Sequence, residues 1–248
     1  MTTIVLIPAR MGAARLPGKP LADIDGEPMI LRVLARAQKA AVGPVVVAAG
    51  DAAIADAVGA AGGEAVLTDP GLPSGSDRVL AALKAVDPAG RFDIVLNLQG
   101  DMPFVEPAII QDCIELLRAR PSCDIATLVA PEAGLADRTN SGVVKAVLAL
   151  DDGGRTGRAL YFTRSTLFGE GPVWRHVGLY AYRRAALERF SNAPPSDLER
   201  REKLEQLRAL EIGLAIDATV IAAAPLSVDT PADLAAARAF ARSQGPAS

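Results

Sequence analysis

The feature that most constrains this chain is an alternation of short apolar runs with stretches of helical spacing. Ile4, Val5, Leu6 and Ile7 form the first run, and residues 8–20 follow it as a loop. Met29, Ile30, Val33, Leu34 and Ala37 then recur at helical intervals, with Pro28 at the first turn. Pro44 opens VVVAAG, which suits a strand buried on both faces; Asp51 is placed to cap a second helix ending at Gly62 and Gly63, and Glu64–Leu67 reads as a third strand. Strands and helices that alternate through short connections build a parallel sheet covered on both faces, and such sheets bind ligands beyond the carboxyl ends of their strands.

Composition narrows the class. The 248 residues are 50% hydrophobic and 22% charged with a net charge of -3, as in globular proteins, and the scattered basic residues leave no nucleic-acid footprint. Cys113 and Cys123 fit neither a zinc spacing nor a secreted disulfide framework, which favours a reducing cytoplasm. No run approaches the ~20 apolar residues a bilayer span needs, and the first residues lack the basic flank of an export signal.

Chemistry concentrates at the ends of the apolar runs. The loop PARMGAARLPGKP sets Arg10, Arg15 and Lys19 among small residues, with Gly12 and Gly18 allowing close backbone approach and Pro17 and Pro20 limiting its conformations. No GKS or GKT and no GxGxxG is present, so side-chain cations would meet a polyphosphate here; the alternative is a plain basic surface loop. In DIVLNLQGD (residues 93–101), Gln99, Gly100 and Asp101 lie at the carboxyl end of a buried strand, and Asp101 is either a turn acid or a magnesium ligand. TDPGLPSGSDR leads into a helix over residues 79–86, and Ser74, Gly75 and Arg78 read either as a helix cap or as a pocket wall. A further helix begins at Glu106 and Pro107.

From Asp124 onward the pattern changes to strand-like runs, DIATLVAP, VVKAVLAL, RALYFTR and VWRHVGLYAYR, which fit an antiparallel addition serving as a subdomain or dimer surface. His176, the only histidine, is either a hydrogen-bonded structural residue or a substrate contact. SDLE at residues 196–199 is a capping box, and the helix it opens is expected to run through REKLEQLRAL, carrying Glu205 near the cleft. Residues 219–224 read as a strand. Thr230, Pro231 and Asp233 start the last helix and leave Asp229 outside the cap, either as a turn acid or as a second metal ligand opposite Asp101. The tail beyond Gln244 is expected to fray.

Taken together, IPARMGAARLPGKPL, NLQGDMP, ALYFTR, RHVGLYAYR, LEQLR and VDTPADL resemble, in order and almost end to end, the 3-deoxy-manno-octulosonate (Kdo) cytidylyltransferases. The resemblance implies a Rossmann-like three-layer α/β nucleotidyltransferase fold: one domain over residues 1–248, a mostly parallel central sheet, and an antiparallel dimerisation subdomain at residues 124–190. It implies transfer of a cytidylyl group from CTP to Kdo with release of pyrophosphate, for lipopolysaccharide synthesis, by a cytoplasmic homodimer that uses Mg2+. Arg10, Arg15 and Lys19 would bind the triphosphate, Ser74 and Gly75 the base, and Arg78 both ligands. Gln99, His176, Tyr180 and Glu205 would contact the sugar, while Asp101 and Asp229 would hold the metal. Met102 departs from the family pattern, as do Ser76 with Asp77, residues 200–202 and the short segment between Arg164 and Arg175. These departures leave a related acceptor open, 8-amino-Kdo or a sialic-acid-like sugar, and a non-catalytic nucleotide-binding subunit is the rival of a different class.

Overall fold

A computed structural model describes residues 1–12, 15–132, 135–169 and 171–244. Strand β1 (Thr3–Ala9) leads through a single 3-10 turn (Lys19–Leu21) to a hairpin of β2 (Asp23–Ile24) and β3 (Glu27–Pro28). Helix α1 (Met29–Lys39), β4 (Val45–Ala49), α2 (Ala52–Ala60), β5 (Glu64–Leu67) and α3 (Gly75–Val86) follow. Next come β6 (Ile94–Asn97), α4 (Pro107–Ala119), β7 (Ile125–Pro131), α5 (Leu135–Thr139), β8 (Lys145–Leu150), β9 (Thr156–Thr163) and β10 (Trp174–Arg183). The order closes with α6 (Arg184–Asn192), α7 (Asp197–Glu202), α8 (Gln206–Glu211), β11 (Ile216–Val220) and α9 (Pro231–Ser243). These elements group into two compact units, one of residues 2–92, 97–110 and 225 onward, the other of Met1, residues 93–96 and residues 111–224.

In the first unit the strands run β5, β4, β1, all parallel, from Val5 opposite Val45 to Ala9 opposite Ala49 and from Val46 opposite Glu64 to Ala49 opposite Leu67. Ile4 to Ile7 and Val46 to Ala49 are buried on both strand faces, as parallel strands under helices require. Helix α1 buries the five residues whose spacing announced it, Met29, Ile30, Val33, Leu34 and Ala37. Ile24, Met29, Phe104, Val228, Leu234 and Ala237 form a core cluster, with Leu16, Ala22 and Leu226 packed against it. Apolar burial here is worth about 25 cal/mol per Å². It locks together three segments distant in sequence: the loop before β2, the turn after β6 and the approach to α9.

The second unit orders its strands β6, β10, β7, β11, β9, β8. β7 and β11 are parallel, while β10 on β7, β9 on β11 and β8 on β9 are antiparallel, the change of pattern expected after Asp124. Two expectations need correction. The helix expected through REKLEQLRAL breaks at Lys203, whose φ of 58° is left-handed. Arg208 donates to both oxygens of Glu199 at 2.8 and 2.7 Å, which folds α8 back against α7 and buries Leu204 and Leu207. The strand expected at residues 219–224 lies at Ile216–Val220 instead, because Asp217 is tolerated mid-strand between Arg158 at 2.5 Å and Arg120 at 3.4 Å. Cys113 and Cys123 are free and buried, and burial pushes both thiols up, Cys123 to about 12. Residues 245–248, the end of the tail expected to fray, lie outside the described residues.

Candidate active site

Gly18 takes a left-handed φ of 71° at the start of the 3-10 turn, so that Lys19, the turn's first residue, points back toward the strand ends. Its ammonium lies 2.9 Å from Asp101 Oδ2 and 3.0 Å from Asp229 Oδ1, and the Arg15 guanidinium reaches the other Asp229 oxygen at 3.2 Å. Each member stands on a segment anchored by the Ile24 and Met29 core. Val228, beside Asp229, is fully buried, and its N–H donates to the Asp101 carbonyl at 2.9 Å. Thr230 and Asp233 form the expected capping box, and the Asp233 carboxylate also accepts from the Asp229 N–H, which fixes the backbone beneath the carboxylate.

Charge is shared unequally in this cluster. Burial lowers the Lys19 pKa, but Asp101 and Asp229 outweigh it and the net shift is upward, so Lys19 stays protonated. Burial raises the Asp101 pKa and the like charge of Asp229 adds to it, against the pull of Lys19. Two carboxylates converging on one cation suit a hard divalent ion, since magnesium takes only one or two protein carboxylates when substrate phosphates complete its shell. Among the described residues no group of three or more histidine, cysteine or acidic side chains could hold a metal, so a metal here would need ligands from the substrate.

Arg10, Lys19, Ser74, Gly75, Arg78, Gln99 and Asp101 line one cavity of about 240 Å³ in the first unit. Gly100 lets the chain pass close beside it, since a Cβ there would lie 3.0 Å from the Pro8 carbonyl oxygen, a tight contact. Ser74 caps α3 by accepting from the Asp77 N–H at 3.1 Å, and it also lines the cavity. Arg78 is 2% exposed and spends donors on Thr68 Oγ1 at 2.5 Å and on the carbonyl of Asp69 at 3.1 Å. Burial and the nearby Arg10 lower its pKa, against the opposing pull of Asp51 and Asp69. Gln99 is oriented by its amide N–H to Asn97 Oδ1 at 3.0 Å. Sequence reasoning missed one residue. Asp51, expected as a helix cap, makes no side-chain cap bond and instead accepts from the Met11 N–H at 2.8 Å, tethering the basic loop. Its position at the carboxyl end of an apolar run, like that of Asp101, was the available signal.

His176, Tyr180 and Glu205 belong to the second unit. The His176 and Tyr180 rings are 5.4 Å apart on β10. Burial, with Tyr182 and Glu205 adding negative charge, raises the Tyr180 phenol. Burial drives the His176 pKa from an ordinary 6.5 to about 3, so the ring is neutral at physiological pH. Below pH 6.5 the unfolded chain takes up a proton that the native imidazole refuses, so stability falls with pH, by at most about 1.4 kcal/mol per unit down to the native pKa. His176→Gln is expected to flatten that slope in denaturant titrations at pH 7, 6 and 5; parallel slopes for both proteins would contradict the burial argument.

The chain is similar to known proteins along nearly its whole length. The cytidylyltransferase family model matches residues 4–216. The 3-deoxy-manno-octulosonate cytidylyltransferase of Rhodospirillum centenum is 60% identical over 238 residues, 96% of this chain and 92% of its own. That of Paramagnetospirillum magneticum is 56% identical over 241 residues, 97% and 98% of the two chains. A solved CMP:2-keto-3-deoxy-manno-octonic acid synthetase in complex with CTP superposes with a TM-score of 0.89 at 38% identity, covering 98% of this chain and 100% of that one. A 4-diphosphocytidyl-2C-methyl-D-erythritol synthase from Anaerococcus prevotii, at 15% identity and a TM-score of 0.65, shares the fold alone. The chain belongs to the cytidylyltransferase family, within its 3-deoxy-manno-octulosonate cytidylyltransferases.

Proposed function

We propose that the protein transfers the cytidylyl group of CTP to 3-deoxy-manno-octulosonate and releases pyrophosphate. The observation that carries the reading is the convergence of Asp101 and Asp229 on Lys19, where Lys19 and Asp101 line a basic cavity. Arg10, Arg15 and Lys19 would bind the triphosphate. Ser74 and Gly75 would form the wall for the base, and Arg78 would supply positive potential behind it. The sugar hydroxyl attacks the α-phosphorus in line: its oxygen forms the new P–O bond, its proton passes to solvent, and the bond to the pyrophosphate oxygen breaks. Such transfers are driven by positioning and by charge complementarity. Lys19 neutralises charge gathering on the phosphoryl oxygens, because its raised pKa keeps it an ammonium through the reaction. Asp101 and Asp229 would hold a magnesium ion, which supplies charge neutralisation at the phosphates and lowers the pKa of a bound hydroxyl. Gln99, His176, Tyr180 and Glu205 would contact the sugar.

The wider setting belongs to the same proposal: a cytoplasmic homodimer that activates Kdo for lipopolysaccharide synthesis. Two buried free thiols suit a reducing compartment, and among the described residues no helix is long and apolar enough to cross a membrane. Leu160 and Phe168, 57% and 94% exposed in the second unit, favour a partner surface there. An acceptor panel with CTP tests the substrate. A CMP-sugar is expected with Kdo and not with a sialic acid, and product only with another acceptor would overturn the assignment.

A further inference from the structure

Thr127 on β7 is fully buried, and three groups lie within hydrogen-bond distance of its hydroxyl oxygen. They are the Leu179 carbonyl at 2.9 Å, the Val177 carbonyl at 3.2 Å and His176 Nε2 at 3.0 Å. A hydroxyl has one proton to give, and a carbonyl can only accept. If the proton pointed at the imidazole, the hydroxyl would turn only lone pairs toward two carbonyl oxygens 2.9 and 3.2 Å away, a repulsive contact in a buried site. The proton therefore serves the carbonyls, and the imidazole is the donor, from Nε2. A neutral ring protonated at Nε2 carries a bare lone pair at Nδ1. Among the described residues Nδ1 has no hydrogen-bond partner.

The same hydroxyl sits on an irregularity of β10. His176 pairs with Val129 and Val177 with Leu128, but the next partner, Thr127, faces Tyr180, so Gly178 and Leu179 are extra residues on β10. Four residues of regular strand span about 13 Å. The rings of His176 and Tyr180 instead meet at 5.4 Å, and the Val177 and Leu179 carbonyls at the bulge are the two that Thr127 holds. Bulges commonly re-aim side chains in this way beside functional sites.

We propose that Thr127 is a positioning residue for the sugar acid: it fixes His176 as the Nε2–H tautomer and pins the bulge that sets His176 beside Tyr180, so that Nδ1 accepts a hydrogen bond from a sugar hydroxyl. The proposal rests on the reading of His176 as a sugar contact. It assigns the ring an acceptor's role and excludes one as donor to the sugar's carboxylate.

Because His176 is the only histidine, protein carrying nitrogen-15 histidine gives a single imidazole pattern in long-range proton–nitrogen spectra. The expected pattern is a protonated Nε2 and a bare Nδ1 whose resonance moves when Kdo is added. Thr127→Ser should keep the pattern. Thr127→Val should mix the tautomers and raise the KM for Kdo about tenfold, the cost of one lost hydrogen bond, while the KM for CTP stays within about twofold. A wild-type ring protonated at Nδ1, or a Thr127→Val protein with unchanged tautomer and KM, would overturn the proposal even if the valine variant folds poorly, since the first readout needs only wild type. A bare Nδ1 that ignores Kdo while CTP turnover with Kdo proceeds would instead overturn the reading of His176 as a sugar contact and leave the tautomer assignment standing.

Discussion

Asp101→Ala is expected to cut turnover about 10³-fold or more, the scale on which loss of a central electrostatic group acts in phosphoryl-type transfer. The fold should survive. The Asp101 carbonyl keeps its bond from the Val228 N–H, and Lys19 keeps Asp229 at 3.0 Å. The sign of the stability effect follows from the raised carboxyl pKa. A carboxyl whose native pKa lies above its unfolded value is a native-state liability once pH exceeds the unfolded value, so removing it relieves strain at pH 7. Thermal unfolding of Asp101→Asn, which keeps the shape, should therefore occur at or above the wild-type temperature while activity is lost, as happens where stability has been traded for a reaction. Wild-type rates from either variant, or a large fall in unfolding temperature, would contradict the assignment.

Lys19→Ala should behave in the opposite way toward stability and in a similar way toward catalysis. Its loss leaves Asp101 beside Asp229 without their common counter-charge, and removing one partner of a largely buried pair costs about 3 kcal/mol. That deficit should shrink as pH is lowered and Asp101 takes up a proton. Turnover should fall about 10²–10³-fold with the KM for CTP changed only a few-fold, because a group that meets developing charge acts on kcat more than on ground-state binding. If only the KM for CTP rises, Lys19 is a binding group and the transition-state role falls.

Much of this was legible in the sequence, for reasons that differ by residue. Lys19, Asp101 and Asp229 each follow a signal that needs no tertiary knowledge: a glycine-rich basic loop after a strand, an acid at a strand's carboxyl end, an acid just outside a capping box. Their meeting was less legible, because it depends on a core in which Ile24, Met29, Phe104, Val228 and Leu234 come from segments over 200 residues apart. Local periodicity carries no information about such contacts. Asp217 hid a strand because a buried acid reads as a turn until Arg120 and Arg158 are seen beside it. Lys203 hid a helix break because the ion pair that folds α8 back, Glu199 with Arg208, spans the break and looks from sequence like one more pair on a solvated helix face. Thr127 gave no signal at all, since its hydroxyl acts on a bulge that only strand pairing defines.

The most direct test of the central claim is pyrophosphate release from CTP and magnesium by the wild-type protein, followed as Kdo is added or withheld. Release that requires CTP, magnesium and Kdo together is the expected result; release that ignores Kdo or persists in a chelator, or none with any of these combinations, would contradict it.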